Sequence, residues 1–350
     1  MPSSEGDVLV GETAAPARTP WIDTTDLLRA SVLLFLLGPI SWVSPPRFWW
    51  RLCRAAGLLL GRVREMQHPG WHDVVQRAVG ARPISIAPRR VRDRSLAHGI
   101  QAMLQLLRDY RPGGWRPDIT LEGRERIDQA LDRGRGVVLW IHRFHPFVHF
   151  VAIHRAGIAV SRASGVNHGH FYRSRLGRRV LNPAQTLVED RYCERIEIRE
   201  DGSLSHLREL RHRLLRNGVV SMYFDALDNT RNVDVPFLEG RLRVASRAVT
   251  LAGETGATLL PVFAVSDRPD QYRLIVGTPF EPEIASGTRQ TVEPTIAAHA
   301  RQLEPYVLAY PDQWSDWWRV LPEVRERVVG SERRAGLPRG VDELRATDRP

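Results

Sequence analysis

Residues 218–263 read GVVSMYFDALDNTRNVDVPFLEGRLRVASRAVTLAGETGATLLPVF, and this stretch decides the fold. A β-rich run, VVSMYF, stops at Asp225. A loop carrying Asp228 and Asn229 leads on to PFLEG. A small-residue amphipathic stretch, ASRAVTLAGETG, then gives way to a second apolar run, ATLLPVF. Strand, loop, helix and strand in that order make the unit of a parallel sheet, because parallel neighbours need a crossover long enough to hold a helix. The alternation continues upstream through ITLEG, ERIDQALDRG, GVVLWIH, VHFVAIHRAG, IAVSRAS and LSHLRELRHRLLRNG. Downstream, ATLLPVFAVS is followed by YRLIVGTPF. Residues 119–322 are therefore expected to form an α/β core, a mostly parallel central sheet flanked by helices. A last helix, TVEPTIAAHARQLEPYVLAYP, runs into the aromatic segment DQWSDWWRV at 312–320.

Working outward, residues 66–118 read as a helical region packing on the core, with LAHGIQAMLQLLRDY (96–110) apolar at helical spacing. Residues 26–65 are apolar and aromatic. The uncharged part, Ala30 to Pro46, falls just short of the ~18 residues that argue for a spanning helix, and Pro39, Pro45 and Pro46 interrupt it. Trp42, Trp49 and Trp50 stand beside Arg47, Arg51 and Arg54, a mixture suited to the headgroup layer of a bilayer. A buried helical hairpin of a soluble protein has the same composition. The preferred reading is a monotopic or re-entrant membrane-associating segment. Residues 1–25 and 323–350 are expected to be flexible tails, and no secretory cleavage pattern follows the apolar run.

Composition narrows the partners. The formal net charge is +10 and the pI about 10.5, which calls for an anionic partner. All 50 basic residues are arginine, however, and they are spread along the chain. No helix-turn-helix, RNA-binding sheet motif or zinc finger accompanies them, so nucleic acid is not the expected partner. The two cysteines, Cys53 and Cys193, have no metal-ligand spacing and imply neither a disulfide framework nor a structural zinc.

Two segments carry residues able to do chemistry. The apolar run GVVLWIH ends in His142, with His145 and Pro146 close behind. Strand carboxyl ends in open α/β sheets border the ligand crevice, and an imidazole there serves as a general base near neutral pH. A structural histidine would look the same. Asp225 and Asp228 follow the run VVSMYF, where they suit base orientation or hydroxyl binding, or else ordinary turn chemistry. Arg231, Arg241, Arg243 and Arg247 crowd the same stretch, and they suit a phosphate or plain solvated charge.

The order of these segments resembles the late acyltransferases of lipid A biosynthesis, a branch of the lysophospholipid acyltransferase superfamily that also contains phosphatidylinositol mannoside acyltransferases. The resemblance covers residues 27–320. It rests on the N-terminal apolar segment, GVVLWIH, HLRELRHRLLRNGVVSMYFDALDN, VPFLEG, LAGETGATLLPVFAV and YPDQWSDWW. It implies direct transfer of a fatty acyl group from an acyl-carrier-protein or coenzyme A thioester to a hydroxyl or amine of a lipid or glycolipid acceptor. No metal is required. A location on the cytoplasmic face of the inner (plasma) membrane is implied as well.

The family pattern is His-x4-Asp/Glu after the first core strand, the carboxylate orienting the imidazole. His142 matches the histidine, but Phe147 stands at the carboxylate position. Starting from His145 places Phe150 there instead, and no Asp or Glu lies between Asp132 and Glu189. His142 is therefore expected as base, with His145 as second choice and Asp225 as the replacement carboxylate. Asp228, Arg231, Arg241 and Arg243 are expected to bind substrate. The alternative is a lapsed, lipid-binding member of the same fold.

Overall fold

A computed structural model describes residues 20–67, 70–145, 147–165, 172, 174–198, 203–224, 232–280 and 289–322. A seven-stranded sheet runs in the order β1 (Asp118–Glu122), β9 (Gln271–Val276), β8 (Thr258–Arg268), β2 (Val137–Ile141), β5 (Val219–Tyr223), β3 (Val160–Gly165), β4 (Glu194–Ile198). Every pairing is parallel except β8–β9. Parallel strands covered on both faces are apolar throughout, and all five residues of β2 are buried. Val137, Leu139 and Ile141 face α6 (Arg124–Asp132) and α7 (Val148–Arg155). Val138 and Trp140 face α9 (Ser205–Leu215), α10 (Arg247–Thr255) and α11 (Arg289–Ala309).

That division positions the site. The chain leaving β2 enters α7 on one face, whereas the chain leaving β5 reaches α10 on the other. Neighbouring strands with onward connections to opposite faces form a topological switch point, and ligands of open α/β sheets bind beyond the carboxyl ends there. The residues that follow β2 and β5 are His142 and Phe224, and the Phe224 N–H donates to the Ile141 carbonyl at 2.9 Å.

The structure differs from the sequence expectation between the two key strands. Residues 232–245 are not loop. They form an antiparallel hairpin of β6 (Asn232–Phe237) and β7 (Gly240–Ala245), which β10 (Val320–Pro322) joins as a third strand. Val235, Phe237, Leu242 and Val244 are buried at the period of two that strands require, and Ala245 is buried where β7 ends. Arginines at the intervening positions of β7 disguise it. A further helix, α8 (Asn182–Glu189), leads into the edge strand β4.

At the N-terminal side, α1 (Thr24–Ser31), a π-helical stretch (Val32–Leu37) and α2 (Gly38–Val43) join into one apolar helix of 20 residues that is mostly exposed. By length and composition alone it is long enough to cross a membrane. Both of its ends are tied to the folded domain. Arg175 and Leu176 donate backbone N–H bonds to the carbonyls of Pro20 and Trp21, which precede it. At the other end the Trp42 indole donates to the Leu107 carbonyl at 3.0 Å. Next comes α3 (Pro46–Gln67), which packs along α5 (Pro88–Asp109) and is followed by α4 (Trp71–Val79). Gly57 and Gly61 make that packing close: a Cβ on Gly57 would collide with the Asp93 carbonyl, and one on Gly61 with the Asp93 carboxylate. Phe35, Leu59, Val43 and Met66 are among the exposed apolar residues of these helices.

Candidate active site

β2 delivers His142 into an aromatic cage. The ring stacks on Phe263 with centroids 4.9 Å apart and lies 4.9 Å from Phe224. Its Nε2 is 2.9 Å from Nε2 of His299 on α11, and His299 in turn stacks on Trp140 at 4.1 Å. Both imidazoles are buried. Burial pushes His142 down to about 3. Burial, assisted by its His142 neighbour, holds His299 well below the ordinary histidine range. Both rings are therefore neutral near pH 7, and one of the two facing nitrogens carries the shared proton. Among the described residues His299 Nδ1 has no hydrogen-bond partner. Nothing in the sequence marked His299, because a histidine in an apolar helix is ordinarily a core residue.

The expected carboxylate position is occupied by packing. Phe147 stacks on Trp115 at 5.8 Å and meets Tyr192 edge-on at 5.4 Å, while Phe150 lies beneath the Arg162 guanidinium. Among the described residues no carboxylate pairs with His142; histidine–carboxylate contacts occur at His72 and His98 instead. Asp225, Asp228 and Arg231 lie outside the described residues. Arg241 and Arg243 are on β7, where Arg241 donates to the Asp234 carbonyl at 2.6 Å and Arg243 grips both Asp234 carboxylate oxygens at 2.8 Å.

His145 points into different surroundings. Its Nε2 is 3.1 Å from Gln313 Oε1. The same oxygen accepts from the Ser266 N–H at 2.9 Å, and Gln313 Nε2 donates to the Ser266 carbonyl at 2.7 Å. An acceptor oxygen facing Nε2 puts the ring proton on that nitrogen and leaves Nδ1 as the acceptor. Burial pushes His145 down to about 3, and nearby His98 adds to the shift. His98 meets His145 edge-on at 5.2 Å, and its Nε2 lies 3.4 Å from Asp312 Oδ2. These two residues border a cavity of about 330 Å³ between α5, the end of β8 and the closing turn. On the α7 face, Arg162 and Glu189 form a buried ion pair. Sequence reading missed His98, Asp312, Arg162 and Glu189, since long-range pairs leave no spacing signal.

A neutral imidazole at the switch point, oriented by a second ring, is chemically a proton acceptor without an anionic support. Among the described residues no group of three or more His, Cys, Asp or Glu side chains is placed to hold a metal ion. No curated protein sequence matches the chain. The family model for the bacterial lipid A biosynthesis acyltransferases does match, over residues 34–318, from the apolar helix to the closing aromatic turn. With that match spanning most of its length, the chain belongs to the bacterial lipid A biosynthesis acyltransferase family and is an acyltransferase acting on lipid-type acceptors.

Proposed function

We propose that the protein transfers a fatty acyl group directly from an acyl-carrier-protein or coenzyme A thioester to a hydroxyl, or an amine, of a lipid or glycolipid, with His142 as general base. The supporting observation is the place of His142, at the tip of the central strand and beside Phe224, the residue that follows β5. As the acceptor oxygen attacks the thioester carbonyl, its proton passes to His142. The carbon–sulfur bond then breaks, and the departing thiolate takes the proton back. His299 does the orienting that a carboxylate does elsewhere, but a neutral ring gives little support to the imidazolium that forms. Asp225 is proposed to add that support. It follows Phe224 directly in the chain, and the Phe224 ring is already 4.9 Å from His142. His145 is the second candidate for base. Asp228, Arg231, Arg241 and Arg243 are proposed to bind substrate. No metal or bound cofactor takes part.

The proposed setting is the cytoplasmic face of the inner membrane. The 20-residue apolar helix is tied to the domain at both ends, and at ~1.5 Å per residue it is about 30 Å long. Such an attachment favours lying along the bilayer surface over crossing it, with the exposed apolar side chains of α1 to α3 immersed among lipids. Incubating the protein with labelled acyl carrier protein or acyl-coenzyme A and a total lipid extract tests the reading. Mass spectrometry is expected to show a lipid gaining one fatty acyl group. No acylated lipid with either donor would overturn it, leaving lipid binding on a shared fold.

A further inference from the structure

A polar stripe runs along α5. Arg90, Arg94, His98, Gln101 and Gln105 recur at steps of four, four, three and four, which places them on one helix face. At the inner end Gln101 and Gln105 are buried and both donate to the Tyr272 hydroxyl. At the outer end Arg90, Asp93 and Arg94 face Arg54 and Leu58 of α3 across a cavity of about 200 Å³. Arg94 is also a wall of the cavity of about 330 Å³ that holds His98 and Asp312. The two spaces thus share one guanidinium.

Three guanidinium groups meet one carboxylate at the outer cavity. Arg54 and Arg90 have no ion-pair or hydrogen-bond partner among the described residues, and Arg94 reaches only Asp312, at 3.9 Å. Unpartnered guanidinium forks match phosphate oxygens in geometry as well as charge. The inner cavity has a different character. Trp50 offers a flat ring, and Asp312, Gln313 and Ser266 offer hydrogen-bonding groups. Among the described residues His98 Nδ1 makes no hydrogen bond although it is buried, and His98 Nε2 has only the 3.4 Å approach of Asp312 Oδ2. Buried groups left unmatched in this way favour a ligand that supplies the missing partner.

We propose that these adjoining cavities form a lipid-headgroup site separate from the β2 tip. The phosphate of an anionic bilayer phospholipid lies between Arg54, Arg90 and Arg94, and its headgroup hydroxyls reach His98 and Asp312. A lipid is assigned rather than a soluble phosphate ester because Leu58, on the cavity wall, is itself one of the exposed apolar residues of α3, together with Leu59 and Leu52. The acyl chains of a bound lipid would continue along that face. The site holds whether or not His142 is the base, so its test does not depend on turnover.

The test measures binding of the full chain to phosphatidylcholine vesicles with and without phosphatidylglycerol. Arg54→Gln/Arg90→Gln is compared with Arg47→Gln/Arg51→Gln; all four arginines are exposed, and the second pair removes the same charge from positions of α3 that do not line the cavity. Diffuse attraction would weaken both double variants alike, by about fivefold per charge. The site predicts a loss at least about tenfold greater for Arg54→Gln/Arg90→Gln, and equal losses would overturn it. Glycerol phosphate that displaced the protein as effectively as phosphatidylglycerol vesicles bind it would overturn the lipid assignment. Asp312→Asn is expected to erase a preference for phosphatidylglycerol over phosphatidic acid; an unchanged preference would remove the inner cavity from the site.

Discussion

The Nε2 atoms of His142 and His299 face each other at 2.9 Å inside an aromatic cage. Two neutral imidazoles at that separation hold one proton between them, so the tautomer of each ring is set by the other. The ring that faces His142 is therefore a histidine from α11 rather than a carboxylate of the family pattern, whose own position Phe147 holds, and it adds no negative charge.

Replacement of His299 separates those two effects. Gln at 299 can keep one hydrogen bond to His142, whereas Leu cannot. His299→Gln is expected to lower kcat by less than about tenfold and His299→Leu by about 100-fold, within the range typical of a disturbed general base. Melting curves of both variants check that the cage survives. Equal kcat values would mean that the facing ring does not orient the base.

The pH dependence of turnover follows from burial. A general base works unprotonated, and the usual histidine limb falls near pH 6.5. His142 is held at about 3, so kcat should stay level on its acid side from about pH 8 down to about pH 5. An acid limb centred near 6 in a still-folded protein would mean either that the Asp225 carboxylate offsets burial at His142 or that the imidazole is solvent-exposed.

Stability behaves differently from turnover. His142, His145 and His149 are each pushed by burial from 6.5 to about 3. Between those values the unfolded chain binds protons that the native state refuses, so stability is complete above about 6.5 and declines as pH falls toward 3. Urea midpoints at pH 7.5 and pH 5 should show the decline. His149 lies outside the proposed base and its partner, so it can be replaced without touching them; burial is the main cause of its shift, with the Arg162 charge adding to it and the His145 backbone and Glu189 opposing it. His149→Leu should leave the neutral midpoint within about 1 kcal/mol of the parent and reduce the loss at pH 5.

The N-terminal helices depend on one close approach. Gly57→Ala drives a methyl group into the Asp93 backbone, which cannot yield, whereas Gly61→Ala meets the Asp93 side chain, which can swing aside. Gly57→Ala should cost about 1–3 kcal/mol, the usual range for overpacking, and Gly61→Ala less. Thermal melts of the pair check the order.

The sheet and most of its helices were legible because parallel strands buried on both sides read as unbroken apolar runs, as VVLWI does in β2. The β6–β7 hairpin was not: Leu242 and Val244 alternate with Arg241 and Arg243 as a strand requires, but the arginines give the short stretch a loop-like polarity. The strand tip and His142 could be found from the end of an apolar run. His299 could not: it lies 157 residues away in sequence, on a helix whose pattern shows only its helical period. The His98–Asp312 contact was hidden for the same reason, although the helical spacing of Arg90, Arg94, His98, Gln101 and Gln105 was there to be read.

The most direct measurement is the rate of thioester-dependent lipid acylation by His142→Ala, made on protein with a parental melting curve. A loss of about 100-fold or more is the expected result for removal of the general base. A rate within about twofold of the parent would show that the proton is taken elsewhere.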